Sequence, residues 1–526
     1  MTGFSGFDLA VAAAYVLGLA LLAMVSRLKI RTLSQQFLGA RQARWPMVGF
    51  ALFAATLSST ALVGVSGSAY AHGLSVYNYD WVATFVLALF CAVVLPTYLA
   101  SGLFTVPEFL EKRYGRFART YVSGLAIVLF VLVDTVGALF AGSVLFRLLF
   151  PLLDLWQISA ILSLGAAGFL LIGGLRAVMI TDMVQALILI GACAILSVSA
   201  LTAVGGWEAL ATRIDPAKLK LIRPAGDTVL PWTGLVSGLP LIGFYFWCTN
   251  QYMVQKVLAA KSLDHGRWGS LFAGGLKLST LFLLIIPALC ALVILPGLER
   301  PESVFWAMIV RLLPTGLIGL VVGAFVVSLM SSLAATYNAA ATLVTLDFIK
   351  RYRPHTSERW LLNAGRIAIL SVMGISMLWL PVMRRIQDTL WEYLQAMLSY
   401  AVPPVAALFL LGFFWKRANS FGAGCALVIG TGLSLGLFLG GEIFHLIPLH
   451  FLESAFVIFA VSALSLITGS ALRPAPDQAA ISALMFTRAI WQRETAQLRS
   501  VPVYKNYRYL SLALLALTLL VVSPFL

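Results

Sequence analysis

Apolar residues gather into long runs along this chain, and short connectors between the runs hold most of the charge. Runs of about 17 to 25 apolar residues are long enough to cross a bilayer as helices. Fourteen such spans are predicted, at 7–27, 45–70, 81–101, 119–150, 156–172, 178–204, 233–258, 268–297, 314–348, 361–384, 389–413, 422–440, 450–473 and 508–526. Helices are expected because a backbone in lipid must satisfy its hydrogen bonds within the segment.

Polar positions inside the runs say more than the runs themselves. In the ninth span Ser328, Ser331 and Ser332 fall at i, i+3 and i+4, so one helix face carries three hydroxyls in an otherwise apolar segment. Oxygens are what a hard cation prefers, so the face reads as half of an ion site, or as serines bonded back to their own helix. Two other spans are interrupted in corresponding places. The second reads AATLSSTALVGVSGSAY from Ala54 to Tyr70, and the seventh reads GLPLIGFYFW from Gly238 to Trp247. Paired broken helices, each opening a five-helix unit, point to an inverted-repeat transporter with its site at mid-membrane, against the plainer reading that glycine eases helix packing. The predicted organisation is a first helix and loop (1–44), a first repeat (45–204), an external loop (205–232), a second repeat (233–413) and three final helices (414–526). The connector 474–507 carries Ile481, Leu484, Met485, Ala489 and Trp491, which read as one face of a surface helix.

Composition confirms the class and charge orients it. The chain of 526 residues is 60% hydrophobic and 11% charged, with mean hydropathy +0.94, which leaves too little polar surface for a soluble protein. If the loop after the first span faces inward, inward loops and their flanks hold 26 of the 36 Lys and Arg, and outward ones nine. The positive-inside rule then puts both termini outside, in what is expected to be a bacterial inner (plasma) membrane. The first run follows no basic leader, since Asp8 opens it, and reads as a retained span and not a cleaved signal. The net charge of +15 is spread over several short loops without a nucleic-acid-reading motif, so lipid headgroups are the expected partner. Five scattered cysteines, Cys91, Cys193, Cys248, Cys290 and Cys425, read as packing residues.

Five segments together resemble the sodium/solute symporter family, and within it the sodium-coupled sugar transporters. They are VPEFLEKRYG (Val106–Gly115), GGLRAVMITDMVQ (Gly173–Gln185), FWCTNQYMVQKVLAAKS (Phe246–Ser262), SSLAATYNAAATLVTLDF (Ser331–Phe348) and AALFLLGFFWKRANSFGAG (Ala406–Gly424). The resemblance implies an all-α membrane protein with a LeuT-type five-plus-five core, one helix before it and three after. It also implies sodium-driven uptake of a small solute by alternating access. Carried over position by position, it places sodium at Ala54, Leu57, Ser328, Ser331 and Ser332, with Asp182 as a second sodium ligand or part of the exit path. From its residues alone, Asp182 reads equally as paired to a neighbouring hydroxyl or base.

The solute set keeps part of the sugar pattern and departs from the rest. Lys277, Gln395 and the acid Asp80 are kept, and Lys277 is read as the one base inside any span. Phe246 stands where relatives place a stacking tyrosine, while Ala61, Gly243 and Ala83 replace side chains that touch the sugar ring. Asp134 stands where some relatives carry a base, which disfavours a carboxylate substrate unless it is neutralised. A sugar or polyol is the leading expectation; an amine, an amino acid or another organic solute is the alternative, and a sodium-gated channel or sensor the third. Tyr77, Tyr79, Trp81, Tyr245 and Trp247 read mostly as interfacial anchors. No Walker loop, HExxH or Ser-His-Asp set occurs, so neither ATP drive nor an enzyme is expected.

Overall fold

The computed structural model describes residues 5–26, 41–102, 105–150, 152–383 and 389–526. The basic cluster Arg27, Lys29 and Arg31 lies outside these residues. Among the described residues nine helices are long and apolar enough to cross a membrane, and each of two bent pairs adds one. The remaining predicted spans correspond to Gly6–Ser26, the first part of Leu155–Val204 and the short helices between Trp232 and Leu258.

The two predicted spans 156–172 and 178–204 are assigned one helix, Leu155–Val204. It does not run straight. Gly165 faces Met330 while Asp182 accepts from Ser331, the next residue along; 17 residues of straight helix would separate them by about 25 Å. The helix is therefore bent between Gly165 and Asp182.

The first broken helix divides where its sequence changes from apolar to hydroxylated. Trp45–Thr56 ends with the Leu57 amide bonding Phe53 O at 2.7 Å, and Ser58 is extended (ψ 168°). Ser58 then caps the following helix, Ser59–His72, by accepting from the Ala61 amide, and the halves meet at 53°. In the seventh span the break falls later than the glycines of its sequence suggest. A π-helical turn, Tyr245–Thr249, ends at Asn250 (ψ 120°), whose side chain caps Gln251–Leu258. Gly238 owes its place to packing: a Cβ there would stand 1.9 Å from the Leu452 carbonyl oxygen. Leu390–Ala401 and Pro403–Phe414 meet at 54°, because Pro403 and Pro404 cannot continue a helix.

Leu317–Thr342, the serine helix, crosses the interior beside the long helix and Gly6–Ser26. Asp8 fixes its start, accepting from the Gly316 and Gly319 amides at 2.7 and 3.1 Å. Gly319 also admits the Asp8 backbone, whose carbonyl oxygen would lie 2.1 Å from a Cβ.

The connector 474–507 is not one amphipathic helix. It holds Gln478–Ile481, a short 3-10 turn, and Arg488–Leu498. Ile481, Leu484 and Met485 are buried, whereas Ala489 is exposed and Trp491 is 37% exposed. The bonding of the Phe486 amide to Phe413 O, at 2.9 Å, turns the chain between the two sets. Glu494 anchors the second helix to Arg267, Tyr507 and Arg508, and Arg508 lies 3.5 Å over the Trp491 ring. Burial would raise the Glu494 carboxyl, but Arg267 and the bonds from Tyr507 and Arg508 outweigh it and hold it below 4.5. A depressed carboxylate stabilises above its unfolded value and loses that contribution as pH falls through its folded one. Trp491 fluorescence is expected to change as pH is lowered below about 4.5, and Glu494→Gln should abolish that change. A transition that persists in the variant would assign it to another group.

Candidate ion and solute site

The break at Leu57–Ser58 removes the amides that would bond the last carbonyls of Trp45–Thr56, so the Ala54 and Leu57 oxygens have no partner in a continuous helix. Across from them the serine helix presents its hydroxyls inward. Ser328 and Ser331 are buried, and Ser332 lines a central cavity together with Ala55, Thr56 and Ser58 of the broken helix. Ser331 Oγ donates to Asp182 Oδ1 at 2.7 Å; Asp182 Oδ2 accepts from Lys256 Nζ at 2.8 Å; and Lys256 Nζ also bonds Ala51 O at 3.0 Å. This chain of contacts joins the serine face to the broken helix. Ser328 Oγ is buried with no hydrogen-bond partner among the described residues. An orphaned buried hydroxyl costs about 1–3 kcal/mol, and a cation would satisfy it.

Asp182 thus has both oxygens engaged, by a hydroxyl and by a base. Lys277 is not the one base inside a span, since Lys256 falls within 233–258 and is only 2% exposed. Lys256 is easily passed over in the sequence because it stands near the end of its apolar run. The tertiary fold carries it inward to a carboxylate on another helix.

The cavity, of about 160 Å³, lies where the two broken helices meet. A cavity of roughly 150 Å³ accommodates a benzene ring, so this one suits a single ring-sized solute. Asp80, Asp134, Lys277, Gln395, Phe246, Ala61 and Gly243 all line it. Ala83 does not: it is 2% exposed and packed in the apolar core. Lys277 Nζ binds Asp80 Oδ1 at 2.7 Å, and Thr280 donates to Asp80 Oδ2 at 2.6 Å. Asp134 sits in a π-helical turn, Phe130–Thr135, and Phe246 in another. Each such turn inserts a residue and re-aims the side chains after it, a feature common at functional sites and invisible to helical spacing.

Aromatics contribute more than anchoring. Tyr79, Tyr245 and Trp247 line the cavity, whereas Tyr77 is fully buried and bonds Leu278 O, and Trp81 bonds Asn78. Trp391, unremarked in the sequence, also lines it, packed edge to face on Tyr79 at 5.7 Å. Its indole nitrogen has no partner among the described residues, and a solute hydroxyl would supply one.

Two broken helices around a central cavity define a secondary transporter of the LeuT fold. A sialic acid symporter, solved in a substrate-bound outward-open state and described as Na+-coupled, superposes with TM-score 0.75 at 20% identity, over 90% of this chain and 99% of that one. The sodium:solute symporter family model matches residues 36–430. The sodium/mannose cotransporter of Bos taurus is 33% identical over 86% of this chain and 84% of its own length. The sodium/myo-inositol cotransporter 2 of Oryctolagus cuniculus is 33% identical over 91% and 79%. The chain belongs to the sodium:solute symporter family and is a multi-pass membrane transporter, not an enzyme.

Proposed function

We propose that this protein imports one ring-sized polyhydroxylated solute, a sugar or polyol, together with Na+. The observation that carries the reading is the junction of the serine helix with the broken helix, directly beside the cavity. Sodium would be held by the Ala54 and Leu57 carbonyls and the Ser328, Ser331 and Ser332 hydroxyls. Those oxygens come from both repeats, 45–204 and 233–413, so bound sodium draws the repeats together and shapes the cavity that Ser332 also lines. Sodium and solute then strengthen each other's binding by the same factor. With the carboxylate of Asp182 already bonded to Lys256 and Ser331, one sodium is the simpler stoichiometry, and Asp182 stands beside the ion's route out. Gln395 offers a donor and an acceptor to solute hydroxyls, and Phe246 and Trp391 offer ring faces. The membrane is taken as a bacterial inner membrane with both termini outside.

Ser332→Ala removes one sodium ligand. Losing a contact to a charged group costs about 1.5–3 kcal/mol, so the sodium concentration for half-maximal uptake should rise about tenfold or more in proteoliposomes. An unchanged sodium requirement would remove Ser332 from the site.

A further inference from the structure

Each carboxylate in the interior of the bundle has a named partner except one. Asp80 holds Lys277 and Thr280, Asp182 holds Lys256 and Ser331, and Asp347 holds Arg119 and Ser123. Asp134 has no hydrogen bond or ion pair among the described residues, and it lines the cavity. The only base in that lining, Lys277, is bonded to Asp80 and is not shared with Asp134. When Asp134 is ionised, the lining therefore carries one net negative charge facing the space where the solute goes.

Within the membrane such a charge is costly unless a cation reaches it. Aromatic rings stand around the same space: Tyr245 neighbours Asp134, and Tyr79, Phe246, Trp247, Tyr252 and Trp391 also line it. Ring faces attract an ammonium group as they do a lysine, and more strongly where water is excluded. Hydroxyl and amide groups of Thr56, Thr60, Thr336 and Gln395 remain for the rest of a polyhydroxylated ring. One carboxylate, several ring faces and several neutral hydrogen-bonding groups match a solute with one amine and many hydroxyls.

We propose that the transported solute is an amino sugar or amino polyol whose protonated amine pairs with Asp134. This rests on the sodium-symport reading and names the substrate class of the same cavity. A proton or a sodium ion would also neutralise Asp134, and the test separates these from an amine.

The experiment measures binding to the purified protein in nanodiscs at saturating Na+, using matched pairs: glucosamine and glucose, mannosamine and mannose, N-methylglucamine and sorbitol. The amine member of at least one pair is expected to bind about tenfold tighter or more. Asp134→Asn should remove that preference, and Asp134→Glu should retain it. Equal or tighter binding of every neutral member overturns the proposal, as does an Asp134→Asn variant that keeps the amine preference or alters only the sodium requirement. A screen in which Na+ stabilises the protein but no amine binds overturns it as well. Sodium-dependent binding of neutral sugars alone would sink the amine inference and leave symport standing, whereas binding that never depends on sodium would sink symport itself.

Discussion

Lys256→Met is expected to destabilise the protein by about 3–5 kcal/mol, the usual cost of breaking a buried ion pair and stranding its partner. Lys256 is 2% exposed, and its ammonium bonds Asp182 and Ala51 O and lies 4.8 Å from the Tyr252 ring centre. Without it, Asp182 keeps, among the described residues, the hydrogen bond from the Ser331 hydroxyl. Adding Asp182→Asn removes the stranded charge, so the double variant should recover most of the loss, because a buried pair is often worth little against neutral groups of similar size. Equilibrium unfolding of both single variants and the double variant, all in one detergent, measures the coupling. Additive single effects would mean that the two residues do not act as a pair. Sodium dependence should be followed in parallel, since the pair touches both elements that carry the proposed ion ligands.

The second large effect is expected from Gly238→Val. A Cβ at 238 would lie 1.9 Å from the Leu452 carbonyl oxygen and 2.6 Å from its carbon, so the helix Phe451–Ala471 would have to move. Overpacking against a side chain costs about 1–3 kcal/mol, and a clash with backbone falls at or above the top of that range. Gly243→Ala provides the contrast. Its Cβ would meet only Val86 Cγ2, at 3.3 Å, and it lines the cavity. That variant should melt within about 1 kcal/mol of the parent while changing solute affinity. Similar losses of stability at both glycines would show that Gly243, too, serves packing alone.

These two glycines illustrate how far the sequence could be read. Both lie in GLPLIGFYFW, the stretch read as a broken helix, yet the break is made six residues after Gly243, where Thr249 gives way to Asn250. Asn250, a strong capping residue, starts the second half, whereas glycine inside an apolar run is compatible with an unbroken helix. The first break was legible for the converse reason: Ser58 follows a helix that is apolar up to Thr56, and its hydroxyl is a strong capping group. Ala83 and Ala61 are both replaced ring contacts, and only Ala61 lines the cavity, because Ala83 is packed into an apolar core cluster with Val86, Leu87 and Phe244.

By itself the sequence determined the membrane class, the run of helices, the hydroxyl face on the serine helix and the family. Each follows from local quantities, namely hydropathy over one span, helical periodicity, and motifs in fixed order. Only the tertiary structure decided which charges meet. Lys256 with Asp182, Lys277 with Asp80, and Asp134 with neither are separated by tens to hundreds of residues, so no spacing rule connects them. The π-helical turns that carry Asp134 and Phe246 likewise have no counterpart in helical spacing. Burial makes each such pairing worth several kcal/mol, and burial is a property of the assembled bundle, not of any segment in it.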